Sequence, residues 1–263
     1  IKNSYNKGRT ETTAIDRWFE SKLNDSIKKT TESLESMLFK SALQHSLMDM
    51  TRHLKMYLKR TNNKPNKKLI NQFSESRIQM LTPVTPHFCE EVWELVGGKG
   101  FVSLQPWPDY EEEKIDPEAE AAEQLVHDTL SDFDTVLKLA KIEKPKEVVV
   151  VVAPSWKYEL FRILKEEIRK TRDQRALINT CLAERDIKPH GQEVAKIVQA
   201  VLKDSGKLPQ VLIEKEKETE AYKTVKEIIE KDYKAAVKIE DAEKSNEKKS
   251  SQASPSKPAI VVA

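Results

Sequence analysis

The sequence predicts a mainly α protein, an antiparallel helical bundle followed by a small α+β domain. Three observations lead there. Apolar residues in the first hundred positions recur every three or four residues, as on one-sided helices. Only 6 glycines and 12 prolines interrupt 263 residues, which favours long helices over a turn-rich all-β fold. Five consecutive valines, Val148 to Val152, form a β-branched run of strand length.

The elements follow in order. Thr13 opens the first helix, with Asp16 three residues on in a capping-box arrangement. Trp18, Phe19, Leu23, Ile27, Leu34, Leu38, Ala42 and Met48 then predict two helices, over 12–31 and 34–61, with a break at Thr30-Thr31. Asn62, Asn63, Pro65 and Asn66 form a turn. A third helix runs from Lys67 to Leu81 along Leu69, Ile70, Phe73, Ile78 and Leu81. Thr82-Pro83-Val84-Thr85-Pro86 ends it. Thr85 is placed to cap a fourth helix that has Pro86 at its first position and stops at Gly97-Gly98. Phe101, Leu104, Trp107 and Tyr110 lie among prolines, in a loop expected to tuck aromatics against the bundle.

The chain therefore divides into a helical bundle over 1–110, an acidic linker and connecting helix over 111–140, and an α+β domain over 141–263. In the last, the valine strand is followed by a helix carrying Trp156, Leu160, Ile163, Leu164 and Ile168. Shorter helices are expected over 171–183, 191–204 and 218–232, and strands at Ala235–Ile239 and Ile260–Val262. Residues 244–256 are Lys, Ser and Glu with almost no apolar side chain, which predicts a mobile segment.

Composition excludes several classes. Charged residues are 33% and hydrophobic ones 38%, with a net charge of +2, as in a foldable soluble protein. The longest apolar run, Val148–Ala153, is far too short for a bilayer, and no secretory pattern opens the chain. A cytoplasmic protein without a membrane partner is expected. Cys89 and Cys181 each stand alone, which suits reduced buried thiols and no zinc site. His45, His53, His87, His127 and His190 show no metal-binding spacing; His87, near Glu90 and Glu91, reads as a packed, hydrogen-bonded structural group. No Gly-rich phosphate loop and no nucleophile elbow occur. The expectation is a chain with no catalytic residue, no metal and no cofactor of its own.

Charge pattern is more informative than charge. Arg52, Lys55, Lys59, Arg60, Lys64, Lys67 and Lys68 succeed one another with no acid between them. Arg52, Lys55 and Lys59 share a helix face, with Leu47, Leu54 and Leu58 on the buried side. Cations that meet phosphates release condensed counterions, so this is a nucleic-acid footprint. A solvated basic face with no partner is the alternative. Arg162, Lys165, Arg169, Lys170, Arg172 and Arg175 form a second group, interleaved with acids. The sparse aromatics form no base-stacking platform. That favours recognition of a folded RNA by shape and phosphate over single strands or DNA.

Two stretches resemble one family. Asp16-Arg17-Trp18-Phe19-Glu20-Ser21-Lys22-Leu23, with Ala42-Leu43-Gln44 beyond, resembles the opening of the anticodon-binding bundle of class Ia aminoacyl-tRNA synthetases. Leu81-Thr82-Pro83-Val84-Thr85-Pro86-His87-Phe88-Cys89-Glu90-Glu91-Val92-Trp93 resembles that family's L-x-P-x-x-P-H-x-x-E-E-x-W segment, closed by Trp107-Pro108. The ending Pro255-Ser256-Lys257-Pro258-Ala259-Ile260-Val261 is similar to the tail of archaeal and eukaryotic cytosolic leucyl-tRNA synthetases, except that Val261 stands where an aromatic is usual.

The resemblance implies the C-terminal portion of such an enzyme, or a separate subunit of a split one. The absence of an initiating Met agrees with a fragment, and the family's HIGH and KMSKS signatures and editing domain do not occur here. It implies leucine tRNA as partner, upstream catalytic and editing domains of the same enzyme, and ATP as a requirement of the complete enzyme. Through the matched tail it implies variable-arm contacts for Lys257, Pro258, Ala259, Ile260 and Val261. An isoleucine, valine or methionine enzyme, or a free-standing tRNA-binding adaptor, remains open. The missing Cys-rich zinc module and the valine strand in place of a terminal coiled coil favour leucine.

Overall fold

A computed structural model describes residues 5–245, 247 and 249–262. The chain divides into two compact units, Ile1–Glu120 and Ala121–Ala263.

The first unit is helical. Its elements are α1 (Ala14–Glu35), α2 (Phe39–Leu43), a π-helical stretch (Gln44–Asp49), α3 (Met50–Arg60), α4 (Lys67–Leu81) and α5 (Pro86–Leu95). Its core joins Trp18, Phe19, Leu23 and Ile27 of α1 to Met50 and Tyr57 of α3 and Leu69, Ile70, Phe73 and Met80 of α4. Phe19 stacks on Tyr57 at 4.0 Å between centroids and on Phe73 at 4.9 Å. Such pairs add about 0.5–1.5 kcal/mol each beyond their buried area.

The expected break at Thr30-Thr31 does not occur. The two hydroxyls donate back into the helix, Thr30 to Ser26 O at 2.6 Å and Thr31 to Ile27 O at 2.9 Å. They are thereby satisfied without interrupting it. The chain turns instead at Ser36–Leu38, where Met37 adopts φ 57°. The capping box forms, with Thr13 N donating to Asp16 Oδ2 at 2.6 Å. Thr85 precedes Pro86 as expected but does not cap, because its hydroxyl donates back to Leu81 O at 3.3 Å.

Of Phe101, Leu104, Trp107 and Tyr110, only Trp107 packs on the main core; its indole N–H reaches Thr31 Oγ1 at 2.8 Å. Phe101 and Leu104 are exposed. The acidic stretch after the loop lies along α1. Asn24 Oδ1 accepts from Glu111 N and Ser21 Oγ from Asp116 N, both at 2.9 Å, and Glu120 pairs with Lys22 at 2.6 Å.

In the second unit, α6 (Pro117–Ala140), which begins in the first, leads to β1 (Glu147–Val152). Helices α7 (Ser155–Glu167), α8 (Gln174–Leu182), α9 (Gly191–Lys203) and α10 (Lys215–Tyr233) precede β2 (Ala236–Asp241) and β3 (Ala259–Val262). The sheet order is β2-β1-β3, with β1–β2 parallel and β1–β3 antiparallel; Val150 lies opposite Ile239 and Ile260. Five valines follow from that central place. Val148, Val150 and Val152 join Phe133, Leu137, Tyr222, Val225 and Ile229 on one face. Val149 and Val151 join Tyr158, Ala253 and Ala259 on the other. A strand buried on both faces needs no alternation. Helices α7–α9 have their own core of Leu160, Leu164, Leu177, Cys181, Val194 and Val198.

Composition argued for a mobile segment over 244–256. Its described part includes a 3₁₀ turn, Ser250–Gln252, and the fully buried Ala253; Asn246 and Lys248 of that stretch lie outside the described residues.

Candidate nucleic-acid interface

The basic run lies along α3, the turn after it and the start of α4. Arg52, Lys55 and Lys59 are exposed on α3, opposite the buried Met50 and Tyr57. Leu47, Leu54 and Leu58 are only half-buried, so the side assigned to them is in fact led by Met50 and Tyr57. A turn follows in which Asn62 and Asn63 adopt φ 50° and 58°, a left-handed conformation that asparagine tolerates better than most residues. Lys64 leaves this turn exposed, and Lys67 and Lys68 begin α4, also exposed. Arg60 is half-buried. Helix, turn and helix start thus carry the predicted cations in succession.

Their electrostatics differ. Arg52 pairs with Asp49 at 2.9 Å. Lys55, Lys59, Lys64, Lys67 and Lys68 have no carboxylate within 4.0 Å among the described residues. Lys67 and Lys68 also oppose the positive end of the α4 dipole, which has no acid in its first turn. A charge so placed costs about 0.3–1 kcal/mol, a penalty that an anionic partner would reverse.

A buried network holds this turn, and sequence reasoning missed it. Asp16 is 3% exposed. Arg9 grips its two oxygens at 2.7 Å each, and Tyr57 Oη donates to Oδ1 at 2.5 Å. Tyr57 Oη in turn accepts from Asn66 N at 2.8 Å. Asn66 then caps α4, its side chain accepting from Leu69 N at 3.2 Å. Arg9 N donates to Pro65 O, and Lys67 N to Arg9 O, both at 2.9 Å. Burial alone would raise the Asp16 carboxyl; the bonds from Arg9, Tyr57 and Thr13 outweigh it and hold the group below the usual range. The available signal was Asp16 itself, an acid one residue after the apolar Ile15 and two before the buried Trp18.

The tail residues separate. Lys257 is exposed, Pro258 and Val261 are half-buried, and Ala259 and Ile260 are each 7% exposed. Ala259 packs beside Val149 and Val151, and Ile260 beside Val150 on the opposite face. The side chains of Ala259 and Ile260 complete the two cores, and their main chain lies on an edge strand.

The second basic group is partly neutralised. Arg162 pairs with Glu159 at 2.5 Å and Lys170 with Glu167 at 2.8 Å, and Lys165 donates to Gln210 O. His87 is exposed, not packed as expected, because the α5 start turns it outward. Cys89 and Cys181 are free and buried, and burial pushes the Cys181 thiol up to about 11. Among the described residues no cluster of His, Cys, Asp and Glu could hold a metal ion, and no helix is long and apolar enough to cross a membrane.

Residues 16–152 match the anticodon-binding domain of tRNA ligase. The chain belongs to that family. The match begins at Asp16, the anchor of the network, and ends at Val152, the last residue of β1. A leucine–tRNA ligase of Pyrococcus horikoshii is 33% identical over 259 residues, covering 97% of this chain and 26% of that protein. One from Aeropyrum pernix is 32% identical over 267 residues, covering 99% and 27%. One from Methanocaldococcus jannaschii is 32% identical over 251 residues, covering 94% and 25%. The chain spans about a quarter of the length of these relatives. The resemblance read from the motifs is borne out, leucine-type relatives included.

Proposed function

We propose that this chain is the tRNA-binding portion of a leucine–tRNA ligase. It positions leucine tRNA, with its long variable arm, for ATP-dependent leucylation at an active site outside the segment. The observation that supports this most is the similarity of nearly all of this chain to about a quarter of archaeal leucine–tRNA ligases. In this reading the partners are leucine tRNA and the catalytic and editing domains of the same enzyme, in the cytoplasm, with neither DNA nor a membrane involved. The bundle of 1–110 grips phosphates through Arg52, Lys55, Lys59, Arg60, Lys64, Lys67 and Lys68. The linker of 111–140 leads to the domain of 141–263. There Lys257, Pro258 and Val261, with the main chain of Ala259 and Ile260, meet the variable arm. The work is positional, since binding energy orients the 3′ end and no bond is made or broken here.

The test is binding of the complete enzyme to three RNAs across salt concentrations: leucine tRNA, the same tRNA with its variable arm shortened, and a short-arm tRNA. Tightest binding to the first is expected. Lys55→Ala/Lys59→Ala/Lys64→Ala should weaken all three and flatten the salt dependence by roughly 2 in the slope of log K against log salt, at about 0.7–0.9 per phosphate. Equal wild-type affinity for the three RNAs would defeat the variable-arm reading, and an unchanged slope would reduce the cluster to a solvated face. Lys257→Ala is a cleaner probe of the tail than deletion, because removing β3 would also strip Ile260 from the core.

A further inference from the structure

The turn that leads into the tail is closed by reciprocal main-chain bonds, Ser254 N to Lys257 O at 3.0 Å and Lys257 N to Ser254 O at 2.8 Å. Pro255 takes its first central position and Ser256 the second, at φ 61°. A tight turn with Pro first and positive φ second normally places glycine or asparagine there. Serine strains it, so something else must hold the conformation.

One buried side chain bonds Ser256 itself, and a second holds the segment just before the turn. Glu218 on α10 has no exposed surface. Its Oε2 accepts from Ser256 N at 3.0 Å and its Oε1 from Tyr222 Oη at 2.6 Å. Burial pushes its carboxyl up, against the pull of those two bonds. Lys157 on α7 is 4% exposed, and its Nζ donates to Ser251 O at 2.7 Å and Ala253 O at 2.9 Å. Its nearest carboxylate, Glu193, lies at 3.6 Å on a half-exposed side chain. Buried charges without full pairing are a poor source of stability, and are kept where they specify one conformation. Both of these address the main chain of 251–256, which leads directly to Lys257.

We infer that Glu218 is a positioning residue for RNA recognition: with Lys157 guiding the approach, it holds the strained Ser254–Lys257 turn so that Lys257 meets an RNA phosphate at a fixed place. The inference rests on the tail-binding reading above. The bundle cations set how tightly any tRNA is held, and the Glu218 turn sets which tRNA is preferred.

The complete enzyme tests this with long-arm leucine tRNA and the same RNA with the arm shortened. Glu218→Met keeps the length of the side chain and removes the oxygen that accepts from Ser256 N–H. It should lower the long-arm preference by about 5-fold, the scale of one hydrogen bond, and leave the salt slope nearly unchanged. Ser256→Gly in the same background should restore the preference, because glycine takes positive φ unaided. Ser256→Val, which leaves Glu218 and the core in place, should lose the preference as Glu218→Met does. On a Lys257→Ala background Glu218→Met should add little. Retained preference in either Glu218→Met or Ser256→Val, or no rescue by Ser256→Gly, would overturn the inference alone. Absence of any long-arm preference in the wild type would instead remove the reading on which it rests.

Discussion

Tyr57→Phe removes a single oxygen from the network that fixes the basic turn, so its consequences can be reckoned closely. The ring keeps its stacking on Phe19 and its place in the core, and no cavity larger than one oxygen opens. Two hydrogen bonds disappear. The first is donated to the Asp16 carboxylate, and a bond to a charged group is worth about 1.5–3 kcal/mol. The second comes from Asn66 N, a buried residue, whose amide loses its acceptor at about 1–3 kcal/mol. Arg9 and Thr13 still hold Asp16, so part of the first loss is recovered. A net destabilisation of about 2–4 kcal/mol is expected. Urea unfolding should report it, with hydrogen exchange at Leu69 and Ile70 locating it at the α4 start. Because Lys64, Lys67 and Lys68 hang on this turn, tRNA affinity should fall with it. A stability change below about 1 kcal/mol, or loosening elsewhere than 61–70, would refute the assignment of Tyr57 Oη as the pin.

Acid should weaken the first unit through His53. Burial foremost, then Lys22 and Arg52, holds its imidazole down to about 4 from 6.5. The unfolded chain therefore binds a proton first, and stability falls as pH drops below about 6.5 and levels off near 4, by about 2 kcal/mol after allowance for partial exposure. His53→Phe should abolish that slope in pH-dependent urea unfolding; an unchanged slope would assign it to other groups. At the α10 C-cap, Lys234 adopts φ 57°. Lys234→Gly should stabilise by about 0.5–1 kcal/mol through relief of that strain, and a lower thermal midpoint would count against it.

Local patterns were legible in the sequence. The spacing of Leu69, Ile70, Phe73, Ile78 and Leu81 was enough to predict α4 as it is found. Five valines marked a buried strand through their run length and β-branching. The Asp16 cap was visible because both its members lie within one helical turn. The break after α1 was misplaced because Thr30 and Thr31 can either interrupt a helix or bond back into it, and local sequence does not say which.

What the sequence by itself determined, then, was which elements form, that cations gather from Arg52 to Lys68, and which family the motifs belong to. These depend on neighbours a few residues apart, or on residue identity alone. Tertiary structure decided which of those charges stay unpaired, because a carboxylate's reach is a distance in space. It joined Asp16 to Tyr57 and Asn66, and Glu218 to Ser256, across separations that no periodicity encodes. It also divided the tail, turning Ala259 and Ile260 into the two cores and leaving Lys257 at the surface, because β3 pairs with a central strand whose faces both had to be covered.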